Sequence, residues 1–557
     1  MMLSFFDDRH IAECLAGMRA KQCVKRHDER LLDRYFVAET DESREPRVPE
    51  GELRAHDPGW YMPPRSLWSR VRLDRRIRTD KTRHNKLAIL QHVNWVLANG
   101  KLGESDWGRR FLDFAGRVRA RVSSGSLTFS QPISFAIAKS GKDVRFVTSF
   151  ENLEDKVILS LAAKYLRSKL DSSLSDACYS FRQDGSIDHL SAVGALVDFR
   201  KRHAGEELWV AECDIRKFFD TIDHDVALAS FDRLAKGKDI DPVARGVLVA
   251  YLKAYTSLET LVKGARPKSR EKCCAYVEKI REALGALGER PDARVGIPQG
   301  GALSGLIANW VLATADRAVE RKLKGGFYAR YCDDIVVVCD NKRDCRLARD
   351  RYLRAMKRLR LPVHPMKNSL AYGPGYYEAK SKGPYRWMSM FSGTPLLRGT
   401  APWVSFLGNQ VNAIGEVRVR ASSIRKHKVA LKAERNRALW LIDNCVLRKG
   451  VSERDVARVL ATRVVSKGVG YLRVGPFAAG KGEMSWMSAF EKIHGRAAEH
   501  QLRDLDAWRQ RLLHPLIKGA GFYFGRPASY HGYYEEVARP GHGKRLRPIA
   551  RLGYSAL

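Results

Sequence analysis

The chain has 557 residues, too many for a single compact core, so two or three domains are expected. Hydrophobic residues make up 44% of it and charged residues 29%, which excludes a largely disordered protein. Lys and Arg outnumber Asp and Glu by 99 to 63, and the net charge of +36 favours a polyanionic partner such as nucleic acid. Charge alone leaves a merely basic protein as the alternative.

The cysteines and the apolar segments predict the compartment. None of the ten cysteines forms a CxxC pair, so the sequence predicts neither a zinc knuckle nor a zinc-binding endonuclease module. The N-terminus carries acids where a secretory signal needs basic residues, and no apolar run approaches the roughly twenty residues that span a bilayer. We therefore expect a cytoplasmic protein without a membrane partner.

The N-terminal section, residues 1–85, is predicted to be a helical extension interrupted by Pro and Gly. The stretch Arg65–Lys86, where this section ends, is strongly basic. A solvent-exposed helix face and a surface that follows phosphates are both compatible with this pattern.

Residues 86–415 alternate between short β-like runs and helix-length segments, which predicts a mixed α and β domain. The strands are predicted from aromatic and β-branched residues, and the helices from their apolar periodicity. The predicted elements are strands at 209–213, 326–331 and 335–339 and helices at 153–170 and 343–360.

The C-terminal section, residues 416–557, is predicted to be mostly helical and basic. Between Arg418 and Arg437 there are eight Lys or Arg residues and one acid, Glu434.

Two adjacent acids, Asp333 and Asp334, lie between apolar runs and are predicted at the tip of a tight β-hairpin. Adjacent carboxylates repel each other, and a bound divalent cation removes that repulsion. Taken alone, the dipeptide is better explained as a solvated turn.

A third aspartate, which also lies at the end of a predicted strand, changes this interpretation. Asp214 ends the predicted strand 209–213 and is followed by the paired aromatics Phe218 and Phe219. Phosphoryl transfer between nucleotides uses two Mg²⁺ ions about 4 Å apart, one at the attacking 3′-oxygen and one at the triphosphate. Three aspartates from two adjoining strands meet that requirement, because Mg²⁺ prefers carboxylates together with substrate phosphates.

These motifs resemble, in the same order, those of the reverse transcriptase family, in particular the bacterial lineage of group II introns, retrons and phage-defence polymerases. The resemblance extends from about Lys139 to Arg437. The matching segments are AKSGKDVR (138–145), DACYSFRQD (176–184), DIRKFFDTIDHD (214–225), GIPQGGALSGLIAN (296–309), YCDD (331–334), HPMKN (364–368) and SFLGN (405–409).

The resemblance implies an α+β fold of the right-hand polymerase type. It has fingers and a palm, in which an antiparallel sheet packs on helices, followed by a helical thumb and C-terminal region. The implied enzyme is an RNA-directed DNA polymerase that uses two Mg²⁺ ions, with Mn²⁺ as a possible substitute. Its implied partners are an RNA template, dNTPs and the DNA product, and a partner protein or a homo-oligomer is left open.

The resemblance also implies roles for individual residues in the chemical step. Asp214, Asp333 and Asp334 take the places of the catalytic, metal-binding aspartates, and Ile215 is assigned to the metal site with them. Lys367 takes the place of the lysine that protonates or neutralises the leaving pyrophosphate.

The incoming nucleotide and the nucleic acid have their own implied residues. Phe219 would pack against the sugar C2′ and exclude a 2′-hydroxyl, so that deoxynucleotides are selected. Phe218 is predicted in the core, and Asp220, Asp223 and His224 are predicted as caps or structural hydrogen bonds. The other dNTP-binding residues are Lys139, Arg145 and Gln299, and the nucleic-acid-binding residues are Arg182, Arg418, Arg420, Arg425 and Lys426.

The sequence departs from the family pattern in several places. Gly305 stands where the family has Pro after Ser304. Residues 225–295 and 371–404 are longer than a minimal palm needs, and the second segment is interpreted as an added loop or hairpin. No HNH or Cys-rich endonuclease module and no retron VTG signature is found. By elimination, the best match is the set of standalone "unknown group" reverse transcriptases of antiphage defence.

Four functions stay open on the sequence. The leading hypothesis is a reverse transcriptase that copies a dedicated non-coding RNA in an antiphage system. The others are an intron maturase, a polymerase that adds nucleotides without a template, and an RNA-binding protein with an inactive palm. Protein-primed synthesis is a further alternative, since a phenol can replace a primer hydroxyl. Its candidate tyrosines, for which aromatic packing is the simpler explanation, are Tyr523, Tyr530, Tyr533, Tyr534 and Tyr554.

Overall fold

The structure is a computed structural model. The residues it describes are 2–30, 35–37, 56–70, 81–138, 144–265, 269–290, 292–367, 379–388, 400–470, 485–518 and 528–537. The described chain mixes long helices with three sheets, which confirms the predicted α+β class.

In its described residues, the N-terminal part is helical apart from one two-stranded hairpin. Its elements are α1 (Asp8–Arg30), α2 (Lys81–Ala98), α3 (Asp106–Ser123), β1 (Ile133–Ala138), β2 (Val144–Ser149), α4 (Leu153–Leu170) and α5 (His189–Arg202). Helix α4 has the bounds that periodicity predicted. Asn152 caps it by accepting from the backbone N–H groups of Glu154 and Asp155 at 2.8 and 3.2 Å.

The central part contains a six-stranded sheet and the helices that cover it. Its elements are β3 (Leu208–Cys213), α6 (His224–Ala235), α7 (Pro242–Lys253), α8 (Arg270–Leu284), α9 (Ser304–Glu320), β4 (Phe327–Tyr331), β5 (Asp334–Cys339), α10 (Lys342–Arg358), β6 (Met366–Lys367), β7 (Ser381–Trp387) and β8 (Thr400–Ala401). Four-residue helical turns lie at Phe218–Thr221, Thr260–Lys263 and Ala286–Glu289.

The C-terminal part begins with a small three-stranded sheet and continues as helices. Its elements are β9 (Trp403–Phe406), β10 (Asn409–Asn412), β11 (Val417–Val419), α11 (Ala421–Asn444), α12 (Glu453–Val469), α13 (Arg496–Ile517) and α14 (Tyr530–Val537).

In the central sheet the strand order is β4-β5-β3-β7-β6, and β8 also pairs with β7. Strands β4, β5, β3 and β7 each pair antiparallel with the next in that order, whereas β6 and β8 run parallel to β7. Cys213 at the end of β3 pairs with Ile335 at the start of β5, so Asp214 follows its strand beside the β4–β5 turn.

Both faces of the central sheet are covered, which explains the continuous apolar runs of its strands. Ile335, Val337 and Cys339 of β5 face one core, shared with α4, α9 and α10. The alternate residues Val336 and Val338 face a second core, shared with α5 and the C-terminal helices. The sheet therefore holds the N-terminal and C-terminal parts of the chain together.

The predicted domain limits at 85/86 and 415/416 stay predictions. Helix α2 runs across the first limit, and α1 packs in the same core as α4. The β10–β11 hairpin spans the second limit.

The interpretation of residues 371–404 as an added loop or hairpin was wrong for the part that the structure describes. Residues 381–387 form β7, which pairs with β3 in the middle of the sheet. Residues 368–378 and 389–399 lie outside the described part. Among the helices that the structure describes, none combines the length and apolarity needed to cross a bilayer.

Candidate active site

The two adjacent aspartates lie at a tight hairpin, as predicted. Tyr331 pairs with Asp334, so Cys332 and Asp333 form the two-residue turn between β4 and β5. Cys332 has a φ of 55°, the left-handed conformation that such turns require and that costs energy for a residue other than Gly. Its backbone N–H donates to Ser180 Oγ at 2.9 Å, and this bond helps to hold the turn.

A buried ion pair lies directly behind this turn. Arg330, the residue before Tyr331, is fully buried, as is Asp316 of α9. Its guanidinium donates to both oxygens of the Asp316 carboxylate at 2.8 and 2.7 Å and to Asn309 Oδ1 at 3.1 Å. It also donates to the carbonyl oxygen of Cys332 at 3.3 Å, which links the ion pair to the turn. The position of the acidic turn is therefore fixed by charged hydrogen bonds to α9.

Asp214 is buried where β3 ends, beside the same turn. Its backbone N–H donates to Ser381 Oγ at 3.1 Å, and its carbonyl oxygen accepts from the N–H of His364 at 2.9 Å. Its carboxylate accepts from Lys380 Nζ at 2.5 Å, and His364 Nε2 lies 3.8 Å from the same oxygen. The predicted metal-site residue Ile215 is also buried and forms a backbone bridge with Val363.

The three aspartates act on one another electrostatically. Burial and the charges of Asp334 and Asp214 raise the pKa of Asp333 to about 7. Asp334 still reaches solvent at the mouth of the site, but the surrounding protein and Asp214 raise its pKa to about 6. The cations Lys380 and Arg420 partly oppose this increase. The site thus disfavours three ionised carboxylates without added positive charge.

This donor set fits a divalent metal of the magnesium type. Among the described residues, no group of three or more His, Cys, Asp or Glu side chains encloses a metal ion by itself. Catalytic Mg²⁺ does not require such a cage, because it keeps water and takes substrate phosphates beside one or two carboxylates. The residues that would hold it are Asp214, Asp333 and Asp334.

The predicted nucleotide residues that the structure describes lie around Asp220. Phe218 is buried, whereas Phe219 is only partly buried, in agreement with their different predicted environments. Gln299 Nε2 donates to Asp220 Oδ2 at 2.8 Å, so Asp220 is a structural acceptor as predicted. Burial raises the pKa of Asp220, and Arg145, exposed on β2, lies close enough for its charge to oppose that increase. Lys139 and the side chain of Lys367 lie outside the described residues.

Arg182 is a correction, because the structure does not leave it available for nucleic acid. Its guanidinium donates to the Asp171 carboxylate at 3.2 Å and to the carbonyl oxygens of Ser175 and Cys178 at 2.9 and 3.0 Å. Only 7% of the side chain is exposed. Arg182 therefore ties its loop to the end of α4, and most of its N–H groups already donate within the protein.

The other predicted nucleic-acid residues lie around the start of α11. Arg425 and Lys426 are exposed on that helix. Arg418 stacks over the Trp403 ring at 3.9 Å and donates to Gln410 Oε1 at 3.0 Å. Arg420, the residue before α11, is near enough to Asp334 for its charge to oppose part of the increase in the pKa of that carboxyl. The basic end of α11 therefore borders the acidic site.

Sequence reasoning missed the polar residues that β7 brings to the site. Lys380 contacts Asp214, and Lys382 donates to Glu212 of β3 at 2.5 Å, as does the hydroxyl of Tyr385 at 2.6 Å. The β7 sequence contains Gly383-Pro384, which argues against an interior strand. The sequence pattern that could have indicated a strand here was the alternation of Lys380 and Lys382 close to the aromatic Tyr385.

Comparison with known proteins finds a reverse transcriptase domain in this chain. Residues 137–411 match the family described as "Reverse transcriptase (RNA-dependent DNA polymerase)". The match confirms the predicted enzyme class, an RNA-directed DNA polymerase, and the reverse transcriptase part of the resemblance. That family generally uses divalent metal ions. A comparison with curated protein sequences gives no match.

Among solved structures, the chain is similar to telomerase from Candida albicans in complex with a fragment of telomeric RNA. The sequence identity is 13%, the TM-score is 0.31, and the match covers 89% of this chain and 78% of the telomerase chain. A similarity at this level carries no conclusion about function.

Replacement of Arg330 by Met should destabilise the protein by about 3–5 kcal/mol, because it leaves the Asp316 carboxylate buried without its partner. The double variant Arg330→Met/Asp316→Leu should recover much of that loss. Urea unfolding checks both, with Arg245→Met as the control, since the Arg245–Asp232 pair is half exposed and should contribute less than about 1 kcal/mol. A mild effect of Arg330→Met alone would contradict the proposed support of the turn.

Asp333→Asn should raise the thermal unfolding midpoint of the metal-free protein at pH 8. The folded-state pKa of Asp333 is raised to about 7, so its ionisation destabilises the folded state increasingly as pH rises from about 4 to 7. The difference between variant and wild type should therefore be largest above pH 7 and shrink towards pH 4. Thermal scans in a chelator test this, with the exposed Asp340→Asn as control. A variant less stable than wild type at pH 8 would rule out charge repulsion.

Proposed function

We propose that this chain, an enzyme with a reverse transcriptase domain at residues 137–411, copies RNA into DNA with two Mg²⁺ ions at Asp214, Asp333 and Asp334. The observation that carries the proposal is the meeting of these carboxylates where β3 ends and the β4–β5 turn begins. The raised pKa values of Asp333 and Asp334 indicate a site that binds positive charge. Mn²⁺ should substitute, because it accepts the same oxygen ligands.

The residues around the aspartates divide the work of the reaction. When bound, the metal ions supply activation of the primer 3′-hydroxyl and neutralise the triphosphate. Arg145, with Lys139, binds the triphosphate through charge-assisted hydrogen bonds. Gln299 lies against Asp220 and faces the nucleotide sugar and base. Lys367 remains the proposed proton donor to the pyrophosphate.

Selection of deoxynucleotides is proposed to depend on Phe219. Its backbone is fixed because its carbonyl oxygen accepts from the N–H of Ile297 at 2.8 Å, and its ring packs on Phe218 with centroids 5.4 Å apart. A ring held in this way beside the sugar leaves no room for a 2′-hydroxyl.

Binding of the RNA template is proposed along the basic C-terminal part. The residues proposed to contact phosphates are Arg418, Arg420, Arg425 and Lys426. Arg420 lies close to Asp334, Arg425 and Lys426 are exposed on α11, and the net charge of +36 favours contacts to phosphates. Such contacts recognise the A-form shape of an RNA–DNA duplex rather than its sequence. The described part of Arg65–Lys86 is exposed at Arg65, Arg70 and Lys81 and is proposed as a second phosphate-contacting surface.

The biological role is proposed to be antiphage defence in a bacterium, with a dedicated structured non-coding RNA as the template. This part rests on the sequence resemblance to standalone bacterial reverse transcriptases. Sequencing of the RNA that co-purifies with the protein tests it. One short structured RNA is expected, whereas intron RNA would favour the maturase alternative.

Protein priming is not favoured by the described C-terminal tyrosines. Tyr530, Tyr533 and Tyr534 are buried in the helical C-terminal packing, and the Tyr530 hydroxyl lies 2.6 Å from His427 Nε2. A buried phenol cannot reach the metal site without local unfolding. Tyr523 and Tyr554 lie outside the described residues.

Asp333→Asn and Asp334→Asn should each abolish DNA synthesis, because each removes a charge that the metal ions require. Primer extension on an RNA template with dNTPs and Mg²⁺ measures this. The control is Asp340→Asn, which changes an exposed aspartate at the other end of β5 and should extend like wild type. Extension by either site variant at the wild-type rate would refute the assignment of the site.

Phe219→Ala should narrow the preference for dNTPs over rNTPs, because loss of the ring opens space for the 2′-hydroxyl. Overall activity should fall at the same time. The measurement is the ratio of kcat/KM for dNTP and rNTP, with Phe218→Ala as the matched control. Relaxed sugar selection in Phe218→Ala, but not in Phe219→Ala, would move the role to the neighbouring ring.

A further inference from the structure

The long segment between β3 and α9 contributes a helix to the nucleotide side of the site. Helix α8 buries Cys273, Tyr276, Val277 and Ile280, the spacing of one helix face. This face packs in a separate small core with Phe146 of β2. The same strand carries Arg145, so α8 packs against the β1–β2 hairpin.

From that core, the phenol of Tyr276 reaches the nucleotide site. Its hydroxyl donates to Asp220 Oδ2 at 2.7 Å, and the same oxygen accepts from Gln299 Nε2 at 2.8 Å. Asp220 is only 2% exposed, and its carbonyl oxygen accepts from Ser257 Oγ at 2.6 Å. The Asp220 carboxylate is therefore a buried centre that joins α8 to Gln299.

The aromatic ring of Tyr276 is fixed on two further sides. Lys217 Nζ lies 3.7 Å from its centroid, and the Phe146 ring lies 5.1 Å away. Lys217 follows Asp214 by three residues and has a φ of 52°, so this cation contact stabilises a strained part of the palm motif. Tyr276 thus contacts both strand β2 and the segment that follows Asp214.

A buried carboxylate needs donors, and their number decides how firmly its partners are held. Asp220 has two described side-chain donors, Tyr276 and Gln299. Because Gln299 gives one amide N–H to Asp220, the direction of its amide plane is set by that bond. Loss of the phenol would let the carboxylate turn and would release the amide with it.

We propose that Tyr276 is a positioning residue for the incoming nucleotide, which acts through Asp220 to orient the amide of Gln299. The inference rests on the proposed function, since Gln299 must face the nucleotide. It assigns a role to the long segment between β3 and α9: α8 sets nucleotide affinity from outside the cluster of Asp214, Asp333 and Asp334. The alternative is that Tyr276 is only a core aromatic, in which case its hydroxyl is dispensable.

The test is steady-state primer extension by Tyr276→Phe, which keeps the ring and removes the hydroxyl. The KM for dNTP should rise about tenfold, the effect of leaving a buried acceptor with one hydrogen bond fewer, while kcat at saturating dNTP stays within about threefold. The matched control is Tyr352→Phe, since the Tyr352 hydroxyl is buried without a hydrogen-bond partner among the described residues. Its KM should equal that of wild type.

A double variant tests whether the effect of Tyr276→Phe on KM passes through Gln299. In a Gln299→Ala background, Tyr276→Phe should raise KM no further, because the amide that it orients is gone. An additional tenfold increase there would overturn the proposal, as would an unchanged KM with a lowered thermal midpoint in Tyr276→Phe alone. If Tyr276→Phe does not fold, Asp220→Asn is measured in the same way, and an unchanged KM again overturns it.

Failure of the proposed polymerase function can be distinguished from failure of the proposed role of Tyr276. A wild-type protein that extends no primed RNA template would refute the polymerase proposal itself. A wild-type protein that is active, an Asp333→Asn variant that is inactive and a Tyr276→Phe variant with wild-type KM would refute only the role of Tyr276.

Discussion

Repulsion between three carboxylates is the constraint on which the rest of the site depends. Asp214, Asp333 and Asp334 are brought together by the pairing of β3 with β5, and two of their pKa values rise towards neutrality. A fold gains no stability from such a cluster, so the surrounding structure must hold it in place. In the proposed function this unfavourable arrangement is what gives the site its affinity for divalent cations.

The supports are themselves buried polar networks. Behind the turn, Arg330 and Asp316 form an ion pair with no exposed surface, and the pair reaches Cys332 through its carbonyl oxygen. On the nucleotide side, Asp220 joins Tyr276 to Gln299. Each network costs desolvation, and each has a single well-defined geometry in return. Both are therefore suited to holding reacting groups in place rather than to adding stability.

The sequence was sufficient where a feature is local. The strands β3, β4 and β5 and the helices α4 and α10 were predicted almost to the residue, because their periodicity and side-chain types agree with the final structure. The meeting of Asp214 with the acidic turn followed from two such strands. Strand β7 was not predictable, because Gly383 and Pro384 are residue types disfavoured inside strands. The strand is stabilised by its pairing with β3, which lies far away in the sequence.

Long-range contacts account for the remaining differences. The residue type and motif of Arg182 predicted a contact to nucleic acid. Only the fold shows that its guanidinium is paired with the Asp171 carboxylate. Tyr276 lies 56 residues from its acceptor Asp220, in a segment between the motifs recognised in the sequence. Lys380 likewise becomes part of the site only through β7. Residues of this kind are found by burial and hydrogen bonding, which a single sequence does not contain.

The most direct test of the central claim is the number of metal ions that the three aspartates hold. Mn²⁺ titration followed by electron paramagnetic resonance, with primed RNA template and dNTP present, counts the ions bound to each chain. The account predicts two bound Mn²⁺ ions with mutual spin coupling in the wild type and loss of that coupled pair in Asp214→Asn. A wild-type protein without the coupled pair, or an Asp214→Asn variant that retains it, would contradict the account.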